Sequence, residues 1–203
     1  MCAEVWTARD VLRRPAARNP AFALDILRGA YEKMPGLRLK ILSQLMLVGA
    51  MLSFGSAHAA TIVALGASNT FGKGVAREQA YPAQLEAILR ARGHDARVIN
   101  AGVNGETTGE MLRRLDQAVP NGTSVVILQP GGNDRRKGAE AERAGNISQI
   151  RNKLEGRGIR VVILENNMLR GLPHQPDGQH LTPEGYRALA QSLAARVTSA
   201  MGR

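Results

Sequence analysis

Cysteine is almost absent. Cys2 is the one thiol in 203 residues, and it lies upstream of a segment that reads as a removable leader. A disulfide framework, a cysteine nucleophile and a thiolate metal centre are therefore excluded from the body of the chain. Aromatic residues make up only 3% of the sequence. Single-stranded nucleic acid is held by stacking aromatics along a basic groove. The net charge is +10, yet the longest basic cluster is Arg135 to Lys137. A scattered excess of this kind gives a solvated, arginine-rich surface that attracts anionic headgroups or envelope polymers, with no nucleic-acid partner expected. Long hydrophobic runs are also lacking. The uncharged stretch Ile41 to Phe54 falls short of the roughly 20 residues that a spanning helix needs.

Three glycine motifs fail as well. Gly72-Lys73 is followed by Gly74, so a phosphate loop would have no hydroxyl for magnesium. The dinucleotide fingerprint breaks at Ser68, where its second glycine belongs. Thr70 occupies the last glycine position of a G-x-S-x-G elbow.

The short apolar run does have the flanks of a leader. Arg38 and Lys40 precede it and Ala57-His58-Ala59 follows it, which reads as a secretory signal peptide over residues 34–59 with cleavage after Ala59. Met34 stands where such a leader begins, which makes 1–33 an N-terminal extension ahead of a second candidate start. The alternative is an uncleaved signal anchor with the domain still facing outward. Either way residues 60–203 form one exported domain, periplasmic or secreted.

In that domain β-branched runs alternate with helical stretches. The strands are expected at 61–65, 96–100, 124–128 and 160–164, and each is too continuously apolar for a half-exposed strand. The helices are expected at 81–92, 107–119, 141–156 and 182–201, with apolar residues three and four apart; Thr182 followed by Pro183 is a clear helix start. Four such strands separated by helices predict a doubly wound parallel α/β sheet covered on both faces, with chemistry beyond the carboxyl ends of the strands.

The four strand tails carry the chemistry-bearing residues. Ser68 follows the first strand, Gly105 the second and Asn133 the third; Asp177 and His180 lie just before the last helix. Each is an ordinary turn residue when taken alone. Together at one sheet edge they are what acyl transfer requires. A serine becomes nucleophilic when a neutral imidazole takes its proton, the work assigned to His180, and Asp177 would orient that ring. The Ser68 and Gly105 backbone amides and the Asn133 carboxamide would supply oxyanion donors. His174, Asp177 and His180 also have the spacing of metal ligands, but Pro173 and Pro176 break any helical register and no fourth ligand is in view.

The blocks "GASNTFG", "NGETT", "GGND" and "DGQH" resemble, in order, the four blocks of the SGNH hydrolase superfamily of GDSL-type esterases and lipases. The resemblance implies a flavodoxin-like three-layer sheet. It also implies hydrolysis of carboxylic esters or thioesters of small molecules without metal or cofactor, as in small exported arylesterases, thioesterases and lysophospholipases. Two departures stand out. Ala67 occupies the place of the family's usual Asp, and the interval from Asn133 to Asp177 is too short for the family's additional helix and fifth strand. A four-stranded sheet with a thinly covered cleft is expected, walled by Met168, Leu169 and Leu172 and suited to short acyl groups. The same residues would serve a deacetylase of carbohydrate or an envelope polymer. A non-catalytic binding protein on this scaffold is the remaining alternative, against which the intact Ser68, Gly105, Asn133, Asp177 and His180 argue.

Overall fold

The structure, a computed structural model, describes residues 59–202. The N-terminal extension and, Ala59 apart, the leader lie outside the described residues.

The described chain begins with β1 (Ala60–Gly66), whose residues Ile62 to Leu65 have no exposed surface. Successive side chains of a strand point to opposite faces, so a strand buried on both sides must be apolar throughout. Ile62 and Ala64 join one core with Tyr81, Leu85 and Leu89 of α2 (Tyr81–Ala91) and Tyr186, Leu189, Leu193 and Val197 of α7 (Pro183–Met201). Val63 and Leu65 join the other. There they meet Met111 of α3 (Thr108–Arg113), Leu115 of α4 (Leu115–Ala118) and Ile150 and Leu154 of α6 (Glu140–Gly156).

The sheet has the order β2-β1-β3-β4 and all its pairings are parallel, with β2 at Ala96–Gly102, β3 at Thr123–Gln129 and β4 at Arg160–Ile163. This is the doubly wound α/β layering expected from the sequence, with four strands among the described residues. In register, Gly66 lies beside Gly102 on one side and Gln129 on the other, so three strands end at one level. The loops that follow open onto the same edge.

The helix expected over 107–119 is corrected by the structure. It breaks at Arg114, where the backbone leaves helical angles (φ −99°, ψ 10°) and α4 begins anew. The Arg114 guanidinium donates to the Glu106 carboxylate at 2.5 Å and to the Ala101 carbonyl at 2.8 Å, which binds the end of β2 to the loop ahead of α3. Four short turns of helix also escape the expected pattern: α1 (Ser68–Phe71), a 3-10 turn at Arg77–Gln79, α5 (Asn133–Arg136) and a 3-10 turn at Asn166–Leu169.

Candidate active site

Ser68 opens α1 directly beyond β1. The turn forms because the Thr70 and Phe71 amides donate back to the Ala67 carbonyl at 3.1 and 2.9 Å. It fits against the sheet because Gly102 has no side chain; a Cβ there would lie 2.2 Å from the Phe71 nitrogen. Thr70 Oγ1 donates to Gln129 Oε1 at 2.8 Å, which fastens the turn to the end of β3.

The structure brings Ser68, His180 and Asp177 into one line. The Ser68 hydroxyl lies 2.9 Å from His180 Nε2, and His180 Nδ1 lies 2.5 Å from Asp177 Oδ2. Because a carboxylate only accepts, Nδ1 carries the ring proton and donates it, leaving Nε2 free to accept from the serine. His180 is buried, Ser68 half-buried and Asp177 exposed. The other oxygen of Asp177 accepts the backbone amides of Gln179 and His180 at 2.9 and 3.0 Å, so the aspartate shapes the turn that presents the histidine. The His180 amide and ring, with the Gln179 amide, hold the Asp177 carboxyl well below the usual carboxylate range.

Asn133 opens α5 at the cavity wall. Its Nδ2 donates to the Glu106 carbonyl at 2.8 Å and its Oδ1 accepts from Arg136 at 2.8 Å. An amide nitrogen has two protons, so one of them remains for a ligand. The cavity beside Ser68 has a volume of about 200 Å³ and is lined by Ala67, Ser68, Asn133, Leu169 and His180 among others. Gly105 is placed differently. It sits in the loop between β2 and α3 at φ +75°, an angle that suits glycine, but it is not among the cavity-lining residues. It reaches the site through its neighbour Glu106, whose carbonyl holds Asn133.

One expectation is corrected here. Of the three residues expected to wall the cleft, only Leu169 lines the cavity; Met168 and Leu172 pack against the core shared by α2 and α7. His174 does not join Asp177 and His180 as a ligand set. Its Nδ1 is 2.6 Å from the Leu172 carbonyl, and no cluster of three metal-ligating side chains occurs among the described residues.

Asn69 is the residue the sequence reading missed. It is buried, its Nδ2 donates to the Gln179 carbonyl at 3.0 Å, and its Oδ1 accepts from the Tyr186 hydroxyl at 3.1 Å. Burial pushes the Tyr186 phenol up to about 12, so it stays a donor. Asn69 therefore joins the serine turn, the histidine turn and α7. Its partners lie 110 and 117 positions away, and no local spacing announces them.

A sheet of order 2-1-3-4 with a serine, an asparagine and an Asp-x-x-His at its carboxyl edge defines the SGNH hydrolase class. Residues 64–201 match the sequence profile of the GDSL-like lipase/acylhydrolase family, and the chain belongs to that family. It is 31% identical over 110 residues to Esterase TesA of Pseudomonas aeruginosa, an overlap of 53% of this chain and 55% of that one. It is 30% identical over 116 residues to an arylesterase of Vibrio mimicus, covering 56% of this chain and 58% of the relative. The chain thus spans little more than half the length of the curated relatives it matches. Among solved structures, the esterase EstA from Pseudoalteromonas sp. superposes with a TM-score of 0.63 at 18% identity, covering 71% of this chain and all of that one. That likeness concerns the fold.

Proposed function

We propose that this protein hydrolyses carboxylic esters through an acyl-enzyme on Ser68. The observation that carries the proposal is the continuous line from the Ser68 hydroxyl to His180 Nε2 at 2.9 Å and from Nδ1 to Asp177 at 2.5 Å. His180 takes the serine proton as Ser68 Oγ attacks the ester carbonyl, and Asp177 stabilises the imidazolium that forms. The tetrahedral oxyanion is met by the free proton of Asn133 Nδ2 and by the Ser68 backbone amide, which donates to no protein group among the described residues, while Gly105 supports Asn133 from behind through the Glu106 carbonyl. The carbonyl then re-forms, the alcohol leaves with the proton held by His180, and water repeats the sequence to release the acid. The esterase and arylesterase names of the two curated relatives support this reading.

Cavity size favours short acyl groups. Sites for drug-sized ligands run from about 300 Å³ upward, and the space here is about 200 Å³ with Leu169 as its one large apolar side chain. Aryl and alkyl leaving groups, including thiols, would project through the open side. Export to the periplasm or medium is part of the proposal and rests on the leader-like segment ahead of residue 60; a mature N-terminus at or near Ala60, read from envelope material, tests it. The function itself is tested with p-nitrophenyl esters from acetyl to palmitoyl. Turnover should be greatest at the short end and lost in a folded Ser68→Ala variant, because that serine contributes little to packing. A Ser68→Ala variant with near-wild-type turnover contradicts the nucleophile assignment, and rates rising steadily towards palmitoyl contradict the short-acyl preference.

A further inference from the structure

The cavity at Ser68 carries positive charge without a carboxylate in its lining. Arg135 and Arg136, two and three residues after Asn133 on α5, line it. The two are not equivalent. Arg136 is committed, donating to Asn133 Oδ1 at 2.8 Å and to Gln179 Oε1. The guanidinium of Arg135 is exposed and donates to no protein group among the described residues.

The nearby acids are already engaged. Asp134 is buried and accepts from the Thr108 amide at 3.0 Å and hydroxyl at 2.5 Å. Glu110 pairs with Lys137 at 3.2 Å. Asp177 faces His180 through one oxygen and two backbone amides through the other. Among the described residues no acidic side chain forms an ion pair with Arg135. The rest of the lining is also poorly suited to a neutral lipid: Gln129, Asn166 and Gln179 are carboxamides.

We infer that Arg135 selects esters bearing an anionic group, a carboxylate or a phosphate, within a few bonds of the scissile carbonyl. The inference rests on the ester-hydrolase reading of Ser68 and names its substrate class. A guanidinium presents a planar fork of donors that matches two oxygens of such a group at once. Placed two residues after Asn133, that fork holds an anion on the same wall of the cavity that meets the oxyanion. It orients the carbonyl and contributes more than a lysine would. Because the side chain is exposed, the attraction weakens as salt shortens the screening length.

Matched pairs of esters test this. On the acyl side the pair is p-nitrophenyl butyrate and mono-p-nitrophenyl succinate; on the leaving-group side, methyl 4-acetoxybenzoate and 4-acetoxybenzoate, with 4-acetoxyphenyl phosphate to tell phosphate from carboxylate. The quantity read is the ratio of kcat/KM for the anionic over the neutral ester. In at least one arm Arg135→Gln should lower that ratio about tenfold, the size of one charge-assisted hydrogen bond. Arg135→Lys should retain part of it, and added salt should depress the wild-type ratio. Arg92→Gln, which removes the same charge at the end of α2, should leave the ratio alone. An equal ratio in wild type and Arg135→Gln in both arms overturns the assignment, as does an equal fall in Arg92→Gln. Hydrolysis of any of these esters by wild type and not by Ser68→Ala establishes the underlying reading; inertness of every ester, anionic and neutral, overturns that reading and this one together.

Discussion

Asn69 shows most clearly how single residues set the geometry of this site. It touches no reacting atom, yet its two hydrogen bonds fix the histidine turn against the serine turn and α7. Asn69→Leu keeps the branched shape and removes both bonds, leaving the Gln179 carbonyl and the Tyr186 hydroxyl without their partner. Misplacing His180 by a fraction of an ångström weakens proton transfer more than substrate binding. The expected result is a fall in kcat of about tenfold or more with KM little changed, and a smaller fall for Tyr186→Phe, which breaks one of the two bonds. Equal losses in kcat and 1/KM would make Asn69 a binding residue. The pH profile belongs to the same scale. Asp177 has its carboxyl held below the usual range, so it stays ionised on acidification well after free carboxylates have begun to protonate. The sign follows: acidification as far as the ordinary carboxylate range leaves Asp177 ionised, so a loss of activity above that range does not report protonation of the aspartate. A carboxyl that protonates in the ordinary range, at about pH 4, when Asp177 is followed by NMR would contradict the lowered value.

At the scale of elements, α3 depends on its first turn. Thr107 and Glu110 form a reciprocal cap: the Thr107 amide donates to Glu110 Oε2 at 2.7 Å, and the Glu110 amide donates to Thr107 Oγ1 at 3.3 Å. The Thr107 amide and hydroxyl, with Lys137, lower the Glu110 carboxyl from 4.5 to about 2. Its stabilising contribution is therefore fully present above the ordinary value and is lost as the pH falls through the lowered one. Glu110→Gln should lower Tm by a few degrees at neutral pH, and the gap from wild type should close towards pH 2. A gap that persists unchanged at low pH would mean that charge has no part in the cap. The strands of the sheet and the cap of α7 were legible in the sequence for a physical reason. Continuous Val/Ile runs are demanded where both faces are buried, as in the central strands β1 and β3. The edge strands β2 and β4 are only partly buried, against the expectation for them. Thr182-Pro183 supplies both a side-chain acceptor and a preset backbone angle. The break at Arg114 was not legible, because it answers to Glu106 and to the Ala101 carbonyl rather than to local periodicity. Helices of four residues such as α1 and α5 have too few positions to show a period.

For the whole molecule, the site is a consequence of register. Gly66, Gly102 and Gln129 end level with one another, and the loops beyond them must share one edge. That is why Ser68, Asn133, Asp177 and His180 could be grouped from the sequence before any distance was known: strand tails in a doubly wound sheet converge. What the pattern could not supply was the division of labour among the loops. Asn133 lines the cavity whereas Gly105 stands one residue behind it, and Leu169 reaches the cavity whereas Met168 and Leu172 turn to the core. Those differences depend on side-chain directions set by packing. The central claim is that this converged edge makes Ser68 a nucleophile that becomes acylated. The most direct measurement is the intact mass, followed by peptide mapping, of protein treated with diethyl p-nitrophenyl phosphate, in which the serine oxygen attacks phosphorus and p-nitrophenolate leaves. A single diethylphosphoryl adduct on Ser68, accompanied by loss of esterase activity and absent from Ser68→Ala and His180→Ala, is the predicted result. Complete inhibition with the adduct on another residue, or ester turnover that continues while Ser68 is fully modified, would contradict it.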